Sequence, residues 1–274
     1  MRGGLVLLAL IGCGGHTPRG LGALADQAKV LGHRGAAGLG PENTEPAFQA
    51  ANDLGVGFEL DVTLSSDGEV VVIHDDDLDR TTTGAGAVSE TPWVTIAELD
   101  AGSWLDPKWA GTTVPKLDEV LEKHAGQGLI DIELKTTPQK KELAKAVVDA
   151  VRRHDAVGQV VVTSFDPYLL GEVAALEPGI LRGQLTATFK EADLNLLEKL
   201  VLRHVGLKRK SLPDFIAVEH VRANKRFVRR WQRRGYPVLA WTVNDPARMA
   251  ELFALGIDGI ITDRPDLGLK AAKR

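Results

Sequence analysis

Nine apolar runs of strand length, separated in all but one case by stretches long enough for a helix, constrain this chain more than any other feature. They cover residues 28–33, 57–64, 70–75, 129–135, 159–165, 180–187, 214–219, 237–242 and 257–262. Strand-length runs alternating with helix-period segments are the pattern of a parallel sheet joined by crossover helices. The exception is the step from 57–64 to 70–75, where Ser65-Ser66-Asp67-Gly68 is a turn too short for a parallel crossover. Segment 70–75 must therefore run antiparallel, as a hairpin partner of the second run, and eight parallel strands remain. Eight such strands close a (β/α)8 TIM barrel, a fold of about 250 residues that the 274-residue chain can accommodate once. Between Asp76 and Thr113 a Gly-, Thr- and Trp-rich stretch without period reads as an excursion over one barrel face, with Trp93, Trp104 and Trp109 expected to form a small satellite core.

The start of the chain follows a different logic. Met1-Arg2 precedes an apolar run from Leu5 to Ile11, the length of a secretory h-region and too short to span a bilayer. Cys13 is the only cysteine, so no intramolecular disulfide is possible, and Leu10–Cys13 resembles a bacterial lipobox. Residues 1–12 are therefore expected to be a signal peptide, 13–27 a flexible tether lipidated at Cys13, and 28–274 the barrel domain. The expected location is outside the cytoplasm, as a periplasmic or cell-surface lipoprotein anchored to a membrane.

Charge narrows the partners. The chain carries 33 basic and 37 acidic residues, a formal charge of −4, which gives it no general attraction for nucleic acid. Between Lys199 and Arg234, however, twelve Lys and Arg face only Asp214 and Glu219. Phe227, Val228 and Trp231 give Arg222–Arg234 an apolar stripe at helical spacing, so the expected arrangement is a helix with a solvated cationic face; contact with anionic headgroups is the second reading.

A barrel presents its chemistry at the carboxyl ends of its strands. There the sequence offers His33-Arg34-Gly35, Glu59-Leu60-Asp61, His74-Asp75 and Asp131-Ile132-Glu133-Leu134-Lys135. Residues two apart in a strand share a face, which pairs Glu59 with Asp61 and Glu133 with Lys135. Three carboxylates converging on one mouth repel one another unless a cation sits between them, and hard oxygen ligands suit one Mg²⁺ or Ca²⁺. The hairpin returns His74 beside the Glu59–Asp61 end of its partner, while His33 reaches the rim from the first strand. Two histidines beside a cation can supply a base and an acid, with Arg34 and Lys135 offsetting phosphate charge. Trp241 ends a strand and suits either core packing or an apolar wall for substrate; Asn43 suits either the site or, like Thr44, the cap of the next helix.

These residues, together with Pro41-Glu42-Asn43-Thr44, Asp67-Gly68, Arg80-Thr81-Thr82, Trp241-Thr242-Val243-Asn244 and Asp258-Gly259-Ile260, resemble the glycerophosphodiester phosphodiesterases in order from about Val30 onward. The resemblance implies hydrolysis of glycerophosphodiesters to glycerol 3-phosphate and an alcohol, with His33 and His74 as the acid/base pair. It further implies Glu59, Asp61 and Glu133 on the metal and Arg34 and Lys135 on the phosphate. Related barrel phospholipases acting on lysolipids or sphingolipids, and a binding lipoprotein without turnover, are the rival readings. Whether water or a neighbouring glycerol hydroxyl attacks first is left open at this level.

Overall fold

A computed structural model describes residues 16–189, 199 and 205–273. The expected signal peptide and Cys13 lie outside the described residues. Nine strands form one sheet among those described: β1 (Val30–Gly32), β2 (Gly57–Leu64), β3 (Val70–Val72), β4 (Ile130–Leu134), β5 (Val160–Ser164), β6 (Leu181–Thr186), β7 (Phe215–Glu219), β8 (Val238–Trp241) and β9 (Gly259–Thr262). Their order is β1-β9-β8-β7-β6-β5-β4-β2-β3, and an additional β1–β2 pairing closes the ring. Every pairing is parallel except β2 with β3, where Val62 faces Val72 and Leu64 faces Val70. The barrel of eight parallel strands with one appended hairpin strand is thus the expected (β/α)8 TIM barrel.

Strand alternation divides the core in two. Phe58, Leu60 and Val62 of β2 and Ile130, Ile132 and Leu134 of β4 face outward into the large cluster between sheet and helices. Leu31, Leu129, Val161, Phe215, Leu239 and Ile261 fill the barrel interior. The intervening residues of β2 and β4 point into the barrel, and their register sets Glu59 beside Asp131 and Asp61 beside Glu133. A period of two therefore delivers four carboxylates to one inner surface.

β3 ends three residues short of the expected 70–75. Asp75, Asp76 and Asp77 follow at once, and Asp is poorly suited to a strand. The Ile73 amide still donates to the Asp61 carbonyl at 3.0 Å, so the hairpin keeps its register up to the residue before His74. The excursion 76–113 has a core of its own, but aliphatic residues build it: Val71, Ile73, Leu78, Val88, Ile96 and Val114, joined by Trp93. Trp104 is 39% exposed and, like Trp109, lies outside that cluster, which corrects the expected tryptophan core.

Residues 16–27 also depart from expectation, because they are docked rather than forming a free tether. Leu21 is buried against the barrel-interior residues and stoppers the end opposite the carboxylates; burial of a leucine side chain contributes roughly 1.5–3 kcal/mol. Arg19 reaches Asp214 with Nε and Nη2 at 2.9 and 2.7 Å, and its Nη groups also donate to the Pro178 and Ile180 carbonyls. The Asp214 side chain is fully buried, and Arg182 adds a second cation at 3.3 Å. Burial opposes ionisation of Asp214, but the donors of Arg19 and Arg182 prevail and hold its carboxyl below the usual range.

Asp214→Asn is expected to destabilise the protein by about 3 kcal/mol in urea unfolding, because it strands a buried guanidinium. The Asp214 contribution is complete at neutral pH and disappears as pH falls below about 4 through its lowered folded value. An unchanged urea midpoint would remove this contact from the account of the barrel floor.

Candidate active site

The loop after β1 is shaped to aim three groups at the mouth. Gly35 has φ +89, and a Cβ there would stand 2.7 Å from the Ala47 backbone, so only glycine fits the turn. Arg34, at φ 50, and Asn43, at φ 55, are held in left-handed conformations that cost of order 1–3 kcal/mol each. Compensating bonds are visible for both. The Arg34 amide donates to Glu59 Oε2 at 2.8 Å. Asn43 Nδ2 donates to Asp61 Oδ2 at 2.9 Å, while its Oδ1 accepts the Asp61 amide at 3.1 Å. Asn43 thus serves the site, and Thr44 precedes the following helix without a side-chain cap bond.

Glu59, Asp61 and Glu133 each offer an oxygen within 4.8 Å of the others, the one such cluster among the described residues. Burial, then the charges of Asp61, Glu133 and Asp131, push the Glu59 carboxyl well above its ordinary value. Burial also raises Glu133, with Lys135 opposing and Asp61 adding. Asp61 differs. Burial works against its charge, but Lys135, His74, Arg34 and the Asn43 amide hold its pKa down to about 2. Lys135 Nζ stands 3.3 Å from both Asp61 Oδ1 and Glu133 Oε1, and those anions keep its pKa high despite burial. Lys135 and Arg34 bring two positive charges against these three carboxylates and the buried Asp131, and so leave negative charge unbalanced. An all-oxygen set of this charge fits a hard divalent cation.

The two histidines flank that cluster, each with one ring nitrogen pinned. His33 Nδ1 lies 2.6 Å from Asp263 Oδ1, and Asn244 Nδ2 donates to the other carboxylate oxygen at 2.5 Å. A proton on Nδ1 given to Asp263 leaves His33 Nε2 toward Thr242 Oγ1 at 3.4 Å and the barrel mouth. His74 Nδ1 lies 2.6 Å from Asp75 Oδ1, and Arg80 grips Asp75 through Nε at 2.5 Å. Arg80 also donates twice to Glu42, which in turn accepts from Arg34 Nη1 at 2.6 Å. The chain Arg34–Glu42–Arg80–Asp75 therefore ties the first loop to the excursion and fixes His74. Burial lowers the His74 pKa, with Asp61 opposing and Lys135 and Arg34 adding to the depression.

All eight residues expected at the site lie around the mouth. Arg34, besides its bond to Glu42, has Nε 3.4 Å from Asp61 Oδ2 in an ion pair without hydrogen-bond geometry. Trp241 lines a cavity with His33, Glu59, Asp131, Glu133, Thr163, Leu185 and Ile261, and its ring meets Phe165 edge-on at 5.5 Å. His74 and Lys135 line an adjoining open cleft with Asp75 and Arg80. Sequence reasoning assigned no role to Asp263, Asn244, Glu42, Arg80 or Asp131. Asp131 is fully buried and bonded to Thr163 Oγ1 at 2.8 Å; burial pushes its pKa up to about 8. Asp263 was accessible to the rule that found His33, since it directly follows the apolar strand β9.

Comparison with known proteins shows which family the chain resembles. Residues 33–267 match the model of the glycerophosphoryl diester phosphodiesterase family. A glycerophosphodiester phosphodiesterase of Caldanaerobacter subterraneus subsp. tengcongensis is 34% identical over 242 residues, covering 86% of this chain and 94% of the relative. One from Bacillus subtilis is 31% identical over 265 residues, covering 90% and 87% respectively. The solved structure of an Oleispira antarctica phosphodiesterase in complex with the product sn-glycerol-3-phosphate superposes with a TM-score of 0.80 at 30% identity, covering 90% of this chain and 97% of that one.

In chelator, stability is expected to fall as pH rises between about 4 and about 8, the span over which Asp131 moves from 3.8 to its raised value. A carboxyl whose folded pKa is raised keeps its proton longer in the folded state, so its stabilising contribution is complete below the unfolded value and lost above the folded one. Glu59→Gln should flatten that fall and raise the melting temperature in chelator by a few degrees. Added Mg²⁺ or Ca²⁺ should then stabilise the wild type and not the variant. A variant that melts below the wild type in chelator contradicts mutual carboxylate repulsion.

Proposed function

The chain belongs to the glycerophosphoryl diester phosphodiesterase family, and on that premise we propose that it hydrolyses glycerophosphodiesters through His33 and His74 beside a divalent cation held by Glu59, Asp61 and Glu133. The observation that carries this reading is the pairing of two carboxylate-pinned imidazoles with a three-carboxylate cluster at one barrel mouth. Mg²⁺ and Ca²⁺ both suit that ligand set. When bound, the cation supplies Lewis-acid neutralisation of the charge on the phosphoryl oxygens.

The residues of the chain divide the remaining work. Lys135 and Arg34 offset the negative charge of the phosphodiester, Lys135 from between Asp61 and Glu133 and Arg34 from the loop after β1. One imidazole, neutral at the start, takes at its free Nε2 the proton of the attacking oxygen, that of water or of the neighbouring glycerol hydroxyl; in the second case water then opens the cyclic phosphate. The other, protonated at the start, gives its Nε2 proton to the departing alcohol oxygen. Asp263 and Asp75 hold the two rings so that Nε2, rather than Nδ1, faces the reaction. Trp241 and Phe165 form an apolar wall against the carbon face of glycerol.

The same reading carries the chain's expected setting: a signal peptide over 1–12, a lipid on Cys13, and action on small phosphodiesters outside the cytoplasm.

His33→Ala and His74→Ala should each lower kcat for glycerophosphocholine by roughly 10²–10⁴-fold, and Glu59→Ala should abolish the response to added divalent ion. Turnover that survives all three changes defeats the assignment. Preference for a lysolipid over glycerophosphocholine would instead favour a phospholipase built on the same site.

A further inference from the structure

Helix Lys225–Gln232 is capped by Asn224, whose side chain accepts the Phe227 amide, and it buries Val228 and Trp231 against the barrel. Its outward side is uniformly cationic: Lys225, Arg226, Arg229, Arg230, Arg233 and Arg234 line one surface depression. Lys208, from the preceding helix Lys208–Ser211, extends the patch, its Nζ 5.8 Å from the Trp231 ring centre and 5.5 Å from that of Tyr236.

Two features set this face apart from an ordinary solvated helix. The cations stand at i,i+4 spacing, Lys225 with Arg229, Arg226 with Arg230 and Arg229 with Arg233, a like-charge arrangement that destabilises a helix. Lys225 and Arg226 also occupy the first turn, where the helix dipole disfavours positive charge. Several cations on other helices are matched: Lys145 with Asp149, Arg152 with Glu177, Arg153 with Asp118, Arg248 with Glu251. Among the described residues, Lys225, Arg226, Arg229, Arg230 and Arg233 make no ion pair. The chain as a whole is acidic, at −4, so the patch is not a by-product of a basic composition.

The chain's N-terminal segment arrives beside the C-terminal end of this helix. Pro18 packs on Gly235, 3.3 Å from where a Cβ would stand, and Gly20 packs on Pro237. The five-residue path from Pro18 back to Cys13 spans at most about 18 Å, so an acyl group on Cys13 would hold a bilayer within reach of the cationic helix. We propose that the outward face of helix Lys225–Gln232, continued by Arg233 and Arg234, docks on an anionic phospholipid surface. A polybasic face beside an acyl anchor is the two-signal arrangement that makes membrane attachment stable. The cationic face stands independently of the catalytic reading, and its contribution does not require the lipid.

The test uses the full chain carrying Cys13→Ser, so that no acyl group contributes, in co-sedimentation with vesicles. Binding is expected to phosphatidylcholine vesicles containing about one third phosphatidylglycerol, weakened by salt, and not to phosphatidylcholine alone. The combined change Arg226→Gln, Arg229→Gln, Arg230→Gln and Arg233→Gln should lower the partition coefficient by up to about a thousandfold. The same charge change made at Lys123, Lys145, Arg152 and Arg153 should leave it within about twofold, and both variants should hydrolyse soluble glycerophosphocholine as the parent does. Equal binding to neutral vesicles, or equal losses in the two variants, overturns the proposal. Tighter helix-dependent binding to a double-stranded oligonucleotide than to anionic vesicles would also overturn it.

Discussion

Repulsion among carboxylates confined to one end of a barrel is the constraint on which the rest of the site depends. Glu59 and Asp61 from β2, with Asp131 and Glu133 from β4, share one inner surface because the strands alternate and their register pairs 59 with 131 and 61 with 133. Nothing in a hydrophobic core rewards that placement: burial pushes all four towards protonation, and only Asp61 is held ionised against it by its neighbours. The neighbours are those needed to tolerate it: Lys135 between two of the anions, Asn43 doubly bonded to Asp61, and the Arg34 amide on Glu59. The left-handed backbone at Arg34 and Asn43 is strain accepted so that these donors point inward. The proposed divalent cation would complete the balance that they leave unfinished.

The histidines answer a different requirement, orientation. His33 comes from the barrel itself and is pinned by Asp263 at the end of the neighbouring strand β9. His74 lies just outside the barrel, past the end of a three-residue hairpin strand, and needs more support. The excursion provides it: Arg80 locks Asp75 and binds Glu42, which ties the segment over the mouth to the loop after β1. The satellite core of aliphatic residues explains why so long a non-barrel segment can hold His74 in place.

The barrel was legible because its signal is local and repeated. Each apolar run carries its own period, and a four-residue turn excludes a parallel crossover after 57–64. Glu59, Asp61 and Glu133 were legible for the same reason, as polar residues punctuating apolar strands. What stayed hidden is the choice of partner across the fold. Arg19 reads as part of a tether until it meets Asp214, and Glu42 is only one letter of a motif until it meets Arg80. Such pairings join residues tens to hundreds of positions apart, and no periodicity announces them. The tryptophans of the excursion misled in the opposite sense, because large aromatic side chains suggest a core even where smaller aliphatic ones build it. The cationic helix was visible as composition, but its lack of acidic partners became evident only once neighbouring elements were in place.

Crystallographic anomalous scattering from the protein grown with Mn²⁺ and glycerol 3-phosphate tests the central claim most directly. One peak is predicted within coordination distance of Glu59, Asp61 and Glu133, with the phosphate beside it and the Nε2 atoms of His33 and His74 facing the phosphate. No peak among those carboxylates, or an ion bound by other residues while the phosphate occupies the mouth, would contradict the account.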